Sequence, residues 1–174
     1  MKHRVCVISG LLAVLVLLSA CGTTSAEAPA AYTDPFAYCA AVGTVDAPDE
    51  RYTGEAMPSA VLEAMVRQGV VSADAPPEFQ ANAVWRCMDG EVWACHLGAN
   101  LPCQERADTS QTPTAEMEAF CQDNRSAEVI PAAVTGRATV YEWKCSEGKP
   151  AVVKQILTSD AQGFLADFWF ELKP

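Results

Sequence analysis

Histidine is scarce in this 174-residue chain, which contains only His3 and His96. There is no pair of histidines at metal-binding spacing, no G-x-S-x-G segment, no G-x-G-x-x-G loop and no P-loop. The cysteines include no C-x-x-C pair, the usual knuckle of a structural zinc site. The motifs of common hydrolases, nucleotide-binding enzymes and zinc proteins are therefore missing, and we expect neither a metal nor a cofactor.

Basic residues are also few, 12 against 22 acidic ones. Two of the basic residues, Lys2 and Arg4, precede residue 20, so the rest of the chain carries ten basic and 22 acidic side chains. This balance argues against binding to nucleic acid and against an electrostatic grip on anionic lipid.

The sequence has no apolar run long enough to cross a bilayer. Its longest, Val5 to Leu18, covers about 14 residues, whereas a spanning helix needs roughly 20. The run follows the positive residues Lys2 and Arg4 and precedes small residues, which is the plan of an export signal. We therefore expect residues 1–20 to be a signal peptide.

The end of this signal, Leu18-Ser19-Ala20-Cys21, resembles the lipobox of bacterial lipoproteins. The resemblance implies cleavage before Cys21, acyl chains on Cys21 and attachment to a membrane through them, because two or three acyl chains give stable anchoring. An export signal that happens to end in a cysteine is the alternative. Gly22 stands where inner-membrane retention signals usually have Asp, which implies the outer membrane in a diderm bacterium and the outer leaflet of the cytoplasmic membrane in a monoderm one.

Residues 21–33 are small or polar and have no periodicity, so they predict a lipidated flexible tether, with a globular domain over 34–174. Once Cys6 and Cys21 are set aside, an even number of cysteines remains in this exported domain: Cys39, Cys87, Cys95, Cys103, Cys121 and Cys145. Six cysteines allow fifteen pairings, and spacing alone does not choose among them.

An internal repeat narrows the choice. Two blocks match: Ala37-Tyr38-Cys39 with Ala119-Phe120-Cys121, and Trp85-Arg86-Cys87-Met88-Asp89-Gly90 with Trp143-Lys144-Cys145-Ser146-Glu147-Gly148. One bridge inside each copy gives Cys39–Cys87 and Cys121–Cys145, which leaves Cys95 and Cys103 to pair. A chance match with different pairing is the alternative.

The predicted fold class is α+β, with two related helix-plus-antiparallel-hairpin halves at 34–103 and 112–174. Asp34-Pro35 and Thr112-Pro113 each predict a helix start, and Ser59 predicts another before an apolar stripe. Residues 137–172 predict a three-stranded antiparallel meander, and the first half repeats its opening hairpin. The sequence leaves open whether the two halves complete one shared sheet.

Two tryptophans outside the repeat, Trp93 and Trp169, are candidate binding aromatics, because strand alternation exposes some of the aromatic residues here unless other elements cover them. No residue is assigned a catalytic role. His96 is the one histidine after the signal, and nothing at helix or strand spacing supplies it with a nucleophile or carboxylate.

The stretch Trp143-Lys144-Cys145-Ser146-Glu147-Gly148-Lys149-Pro150 is similar to those of small exported cysteine-rich bacterial proteins that are uncharacterised, which implies no activity. The sequence therefore favours a membrane-anchored, non-enzymatic module that binds an envelope protein or ligand. An inhibitor of a basic, lysozyme-like envelope-degrading enzyme is the main alternative, and an envelope hydrolase using His96 is the other.

Overall fold

The computed structural model describes residues 31–98 and 101–174, and it confirms the α+β class. The predicted signal peptide, the lipobox and Cys21 lie outside the described residues. The helices are α1 (Pro35–Val42), α2 (Ser59–Arg67), α3 (Pro77–Gln80), α4 (Ala115–Asp123) and α5 (Ala132–Thr135). The strands are β1 (Ala83–Met88), β2 (Glu91–His96), β3 (Tyr141–Ser146), β4 (Lys149–Gln155) and β5 (Phe170–Leu172), the last preceded by a 3₁₀ turn over Ala166–Phe168.

Side-chain caps mark the starts of α1 and α4, whereas the predicted Ser59 cap is not formed, because α2 begins at Ser59 with Pro58 at its N-cap. The Asp34 carboxylate accepts a hydrogen bond from the Ala37 N–H at 2.7 Å and caps α1, as predicted. The cap of α4 is Thr114, whose hydroxyl accepts from the Met117 N–H, so this helix begins two residues later than the Thr112-Pro113 signal suggested. Pro35 directly follows the Asp34 cap, whereas Pro113 directly precedes the Thr114 cap. Of Thr112 and Thr114, it is Thr114 whose hydroxyl reaches the first turn of α4.

The strands of the described residues form two separate antiparallel sheets. One has the order β1-β2-β5 and the other consists of β3 and β4. The two hairpins therefore do not lie in one sheet, although β5 of the second half joins the sheet of the first. The predicted meander is wrong, because Phe170–Leu172 does not continue from β4 but pairs with Val92–Ala94 of β2. The last strand thus completes the sheet of the first half, where the sequence offers no third strand of its own.

The two hairpins have the same construction. Each turns through two residues of positive φ, Asp89-Gly90 and Glu147-Gly148, which is the backbone of a type I′ turn. Trp85 lies opposite Ala94 and Trp143 opposite Val152, the same register counted from the turn. These equivalences agree with a duplication, which stays a prediction.

Two disulfides each join a helix to the hairpin of the same half, α1 to β1 and α4 to β3, as the repeat predicted. The three pairs are Cys39–Cys87, Cys95–Cys103 and Cys121–Cys145. Further hydrogen bonds repeat with them, since the Cys87 N–H donates to the Val45 carbonyl at 3.1 Å and the Cys145 N–H donates to the Ala127 carbonyl at 2.8 Å. Val45 and Ala127 each follow the helix cysteine by six residues, so the chain leaves both helices along the same path.

Three buried clusters form the core. The largest lies under α1 and α2 and includes Tyr38, Met65, Trp85 and Leu172. The apolar stripe of α2 packs here, as expected of a core helix. A second cluster joins α4 to the β3–β4 hairpin, and a third lies on the other face of the first sheet around the Cys95–Cys103 bridge.

Tyr32, near the end of the predicted tether, is hydrogen-bonded to the domain. Its N–H donates to the Arg51 carbonyl, and the Thr53 N–H donates to the Tyr32 carbonyl, both at 2.8 Å. Tyr32 thereby forms a bridge with Tyr52.

Candidate functional site

A cleft of about 510 Å³ opens along the outer edge of β1. Its aromatic lining comes from Trp85, Phe164 and Trp169. The remaining walls are residues 46–48, residues 56 and 57, residues 83 and 84, and residues 103 and 104. The volume falls in the range of small-molecule sites, which are concave and mostly apolar with a few polar groups.

The cleft exists because the segment that follows α1 pairs with β1 through one residue, Val45, and then diverges from the strand. Val45 and Cys87 exchange both main-chain hydrogen bonds at 3.1 Å, so the N–H and C=O of Cys87 point away from β2. In an antiparallel ladder this orientation recurs every second residue, which places the N–H and C=O of Trp85 on the same outer side. Residues 46–48 diverge there and line the cleft instead.

Trp85 is held as a fixed wall of this cleft. Its indole N–H donates to the Ala56 carbonyl at 2.9 Å, and its ring packs edge-on against Tyr52 with 4.9 Å between centroids. Because the side chain is anchored at both its polar and apolar parts, the wall is preorganised for a ligand.

The deep side of the cleft is built on Arg86, which is fully buried. Its guanidinium forms an ion pair with Asp160 and donates to the Gln162 side-chain oxygen at 2.9 Å. It also lies 4.2 Å from the centroid of the Trp169 ring and 4.5 Å from that of Phe164. Cation–π contacts of this kind are strongest where water is excluded, so Arg86 fixes the two aromatic walls.

A polar network closes the rim. Asp46 accepts a hydrogen bond from the Gln162 side-chain amide at 2.7 Å and forms an ion pair with Arg106. The Arg106 guanidinium lies 4.0 Å from the Phe164 centroid, on a ring that also contacts Arg86. The rim therefore offers a half-exposed carboxylate and guanidinium beside an aromatic floor.

The candidate aromatics take different positions from those expected. Trp169 is 6 % exposed and packs against Phe164 and Arg86, so it is part of the cleft wall rather than an exposed patch. Trp93 lies opposite Arg86 and is half-buried against the same cluster. Trp93 and Trp169 form no exposed patch, because residues 160–169 fold back over this face of the sheet.

Both ring nitrogens of His96 form hydrogen bonds with main-chain groups. Nδ1 accepts a hydrogen bond from the Gly98 N–H at 3.1 Å, and Nε2 lies 2.7 Å from the Phe79 carbonyl oxygen. Since Nδ1 acts as the acceptor, Nε2 carries the proton and donates to that carbonyl. The ring also stacks on Phe79, at 4.4 Å between centroids, so both nitrogens serve to hold the end of β2 against α3.

The acidic turn near the cleft is organised by its own arginine. Arg51 donates to both carboxylate oxygens of Asp49, at 3.0 and 3.1 Å from Nε, and these bonds lower the pKa of Asp49 from 3.8 to about 2. Burial raises the pKa of Tyr38, whose hydroxyl oxygen accepts from the Asp49 N–H. Among residues 31–98 and 101–174, no cluster of three His, Cys, Asp or Glu side chains is placed to hold a metal.

Four residues that shape the cleft were missed from the sequence: Asp46, Arg86, Asp160 and Phe164. Arg86 gave no signal, because a basic residue between Trp85 and Cys87 in an alternating strand is expected on the solvent face. Nothing in the sequence identified Asp160, 74 residues later, as its partner.

In the part of the chain that the structure describes, no helix is both long and apolar enough to span a membrane. Comparison of the chain with protein-family models, with curated proteins and with solved structures finds no match.

Proposed function

We propose that this protein is a non-enzymatic binding module of the bacterial cell envelope, anchored by acyl chains on Cys21, and that it binds its ligand in the cleft beside Trp85. The observation that carries the proposal is the cleft itself: about 510 Å³, walled by three aromatic residues that are fixed before any ligand arrives. Preorganised aromatic walls bind apolar groups without an ordering cost.

The export half of the proposal is supported by the covalent structure. The three disulfides pair all six cysteines of the described domain, and such bridges persist in oxidising compartments. Attachment through Cys21 depends on the resemblance of Leu18-Ser19-Ala20-Cys21 to a lipobox.

The chemistry of the cleft favours a ligand with an apolar or aromatic group. Such a group would lie across the edge of β1, with Trp85 on one face of the sheet and Phe164 on the other. A polar edge would reach the Trp85 main chain or the Asp46 carboxylate at the rim. The two main-chain groups of Trp85 give such a ligand one donor and one acceptor side by side.

Inhibition of a basic, lysozyme-like enzyme is the second candidate, and the charge of the first half favours it. Residues 31–98 carry ten acidic and three basic side chains, and nine of the ten acids are exposed. An acidic surface speeds association with a basic partner, and this steering weakens as salt is added. Capture of a basic lytic enzyme that falls steeply between low and physiological salt would support this candidate over a neutral ligand.

The experiment that tests the proposal is photo-crosslinking in living cells from the rim of the cleft. Gln104 is exposed and lines the cleft, so a photoreactive residue there meets the bound ligand. Glu116, exposed on α4, is the matched control position. Mass analysis of the purified protein records small-molecule and protein adducts alike. We expect a discrete adduct from position 104 and none from 116, whereas equal labelling at both would contradict the proposal.

A further inference from the structure

The two hairpins differ in how their outer faces, the faces opposite Trp85 and Trp143, are covered. Arg86 and Lys144 both stand one residue before the hairpin cysteine, and each points to the face opposite the buried tryptophan, since side chains alternate along a strand. Arg86 pairs across the hairpin with Trp93, and Lys144 pairs with Ala151. The two basic residues are therefore equivalent in position.

In the first hairpin this face is covered by the chain itself. Asp160 supplies a carboxylate to Arg86, and Phe164 and Trp169 place their rings within 4.5 Å of the guanidinium. Arg86 is 0 % exposed as a result. The cover is thus a short segment in which the Asp160 carboxylate is followed by the aromatic rings of Phe164 and Trp169.

In the second hairpin the corresponding face is open. We call it the lysine face and define it by Lys144, Lys149, Ala151, Val153 and Lys154. Lys149 and Lys154 are exposed, Lys144 is half-buried, and Val153 is 45 % exposed at the bulge of β4. Within residues 31–98 and 101–174, neither Lys144 nor Lys149 has an ion-pair or hydrogen-bond partner through its ammonium group.

The segment that contains the lysine face, residues 125–154, has a net positive charge, unlike the rest of this acidic protein. Residues 125–154 contain five basic and three acidic side chains, so they hold half of the ten basic residues that follow residue 20. Of the three acids, Glu142 is already 3.4 Å from the Lys154 ammonium. The lysine face is therefore a local positive surface that also presents apolar side chains.

We propose that the lysine face binds an acidic, aromatic segment of another protein. A carboxylate of that segment pairs with Lys144 as Asp160 pairs with Arg86, and an aromatic ring covers Ala151 and Val153, where the short Ala151 side chain leaves the space that Trp93 fills in the first hairpin. Opposite charge selects the acidic partner, and the buried aromatic ring supplies most of the affinity. This surface is separate from the cleft, and the proposal does not depend on the proposed function.

The test uses a peptide with the sequence of residues 159–169, which already has the required chemistry. The peptide is labelled with a fluorophore and titrated into the purified, disulfide-bonded mature protein, with binding followed by anisotropy at low and physiological salt. The protein's own copy of the segment keeps the Arg86 face occupied because an intramolecular segment acts at high effective concentration. We expect saturable binding that weakens at least tenfold in Lys144→Glu and several-fold in Lys149→Glu, an exposed position where the substitution does not disturb folding.

The matched control is Lys173→Glu, an exposed lysine on the other sheet, which should leave binding within twofold of the unchanged protein. A peptide carrying Asp160→Asn should bind at least fivefold more weakly. Absence of saturable binding would overturn the proposal. So would binding to the Lys144→Glu and Lys149→Glu variants that is as tight as binding to the unchanged protein. So would a concentration-dependent dimer that Lys144→Glu dissociates, because that result would assign the lysine face to a second copy of this chain.

Discussion

Arg86 and Asp160, 74 residues apart in the chain, form a buried ion pair that attaches the C-terminal segment to the first sheet. The Arg86 side chain is 0 % exposed and that of Asp160 is 7 % exposed. The pair determines where Phe164 and Trp169 lie, and those two rings are walls of the cleft. A contact between the first hairpin and the C-terminal segment thus shapes the candidate ligand site.

Removing one partner of this pair should be strongly destabilising. Asp160→Asn leaves the Arg86 charge buried without its counter-ion, which costs about 3–5 kcal/mol of unfolding free energy. Urea unfolding, followed by tryptophan fluorescence, measures the change.

The control is Asp49→Asn, which breaks the exposed Asp49–Arg51 pair and should lower the free energy of unfolding far less, because solvent screens that pair. Similar losses in the two variants would show that the buried pair does not hold the C-terminal segment in place.

The three disulfides should contribute unequally. Cys39–Cys87 closes 48 residues and Cys95–Cys103 closes 8, and the loop-entropy model assigns them about 4 and about 2.5 kcal/mol. Replacing Cys39 and Cys87 together by Ala should therefore lower the urea midpoint more than replacing Cys95 and Cys103.

The pairing itself is checked by mass mapping without reductant. A peptide containing Cys121 should appear joined to one containing Cys145, whose Cα atoms are 5.3 Å apart. Any other partner for Cys121 would refute the assignment of one bridge to each copy of the repeat.

Asp49 should titrate at unusually low pH. The Arg51 guanidinium holds the pKa of this carboxyl at about 2, against an ordinary value of 3.8. A lowered pKa means that the pair stabilises the fold fully above pH 3.8 and loses that contribution as the pH falls through about 2.

Carbon-13 NMR of the Asp49 carboxyl group measures this titration directly. In Arg51→Met the midpoint should return toward 3.8, because the charge-assisted hydrogen bonds are gone. An unchanged midpoint in that variant would mean that Arg51 is not the cause.

Membrane attachment should depend on a single cysteine. Cys21→Ser removes the sulfur that the lipobox resemblance marks for acylation, so the protein should move from the membrane fraction to the soluble fraction of the cells. Cys6→Ser, within the signal run, should leave attachment unchanged. Retention of the Cys21→Ser protein in the membrane fraction would refute the lipobox argument.

Local features of this fold could be predicted because matching short motifs occur in both halves of the sequence. The Asp89-Gly90 and Glu147-Gly148 turns and the bridges Cys39–Cys87 and Cys121–Cys145 follow from comparing one half of the chain with the other. The Asp34 cap of α1 depends only on its neighbours, and it is also as predicted.

Features that depend on distant partners could not be predicted. Residues 164–172 have the aromatic content of a strand following β4, and nothing local shows that Phe170–Leu172 pairs instead with β2. The same segment supplies Asp160 as the buried partner of Arg86 and Leu172 to the main core, so it crosses the first sheet. The cleft follows from this crossing, which is why the sequence indicated Trp169 but not its surroundings.

The central claim is that the cleft beside Trp85 holds the ligand, and filling the cleft tests it most directly. Ala56 is exposed and lines the cleft, so Ala56→Trp should occupy the space without disturbing the core. The measurement is the adduct yield from the photoreactive residue at position 104 in living cells, with Ala133→Trp on α5 as the matched control. We predict at least a tenfold loss of adduct in Ala56→Trp and no change in Ala133→Trp. An undiminished yield in Ala56→Trp would contradict the assignment of the cleft as the binding site.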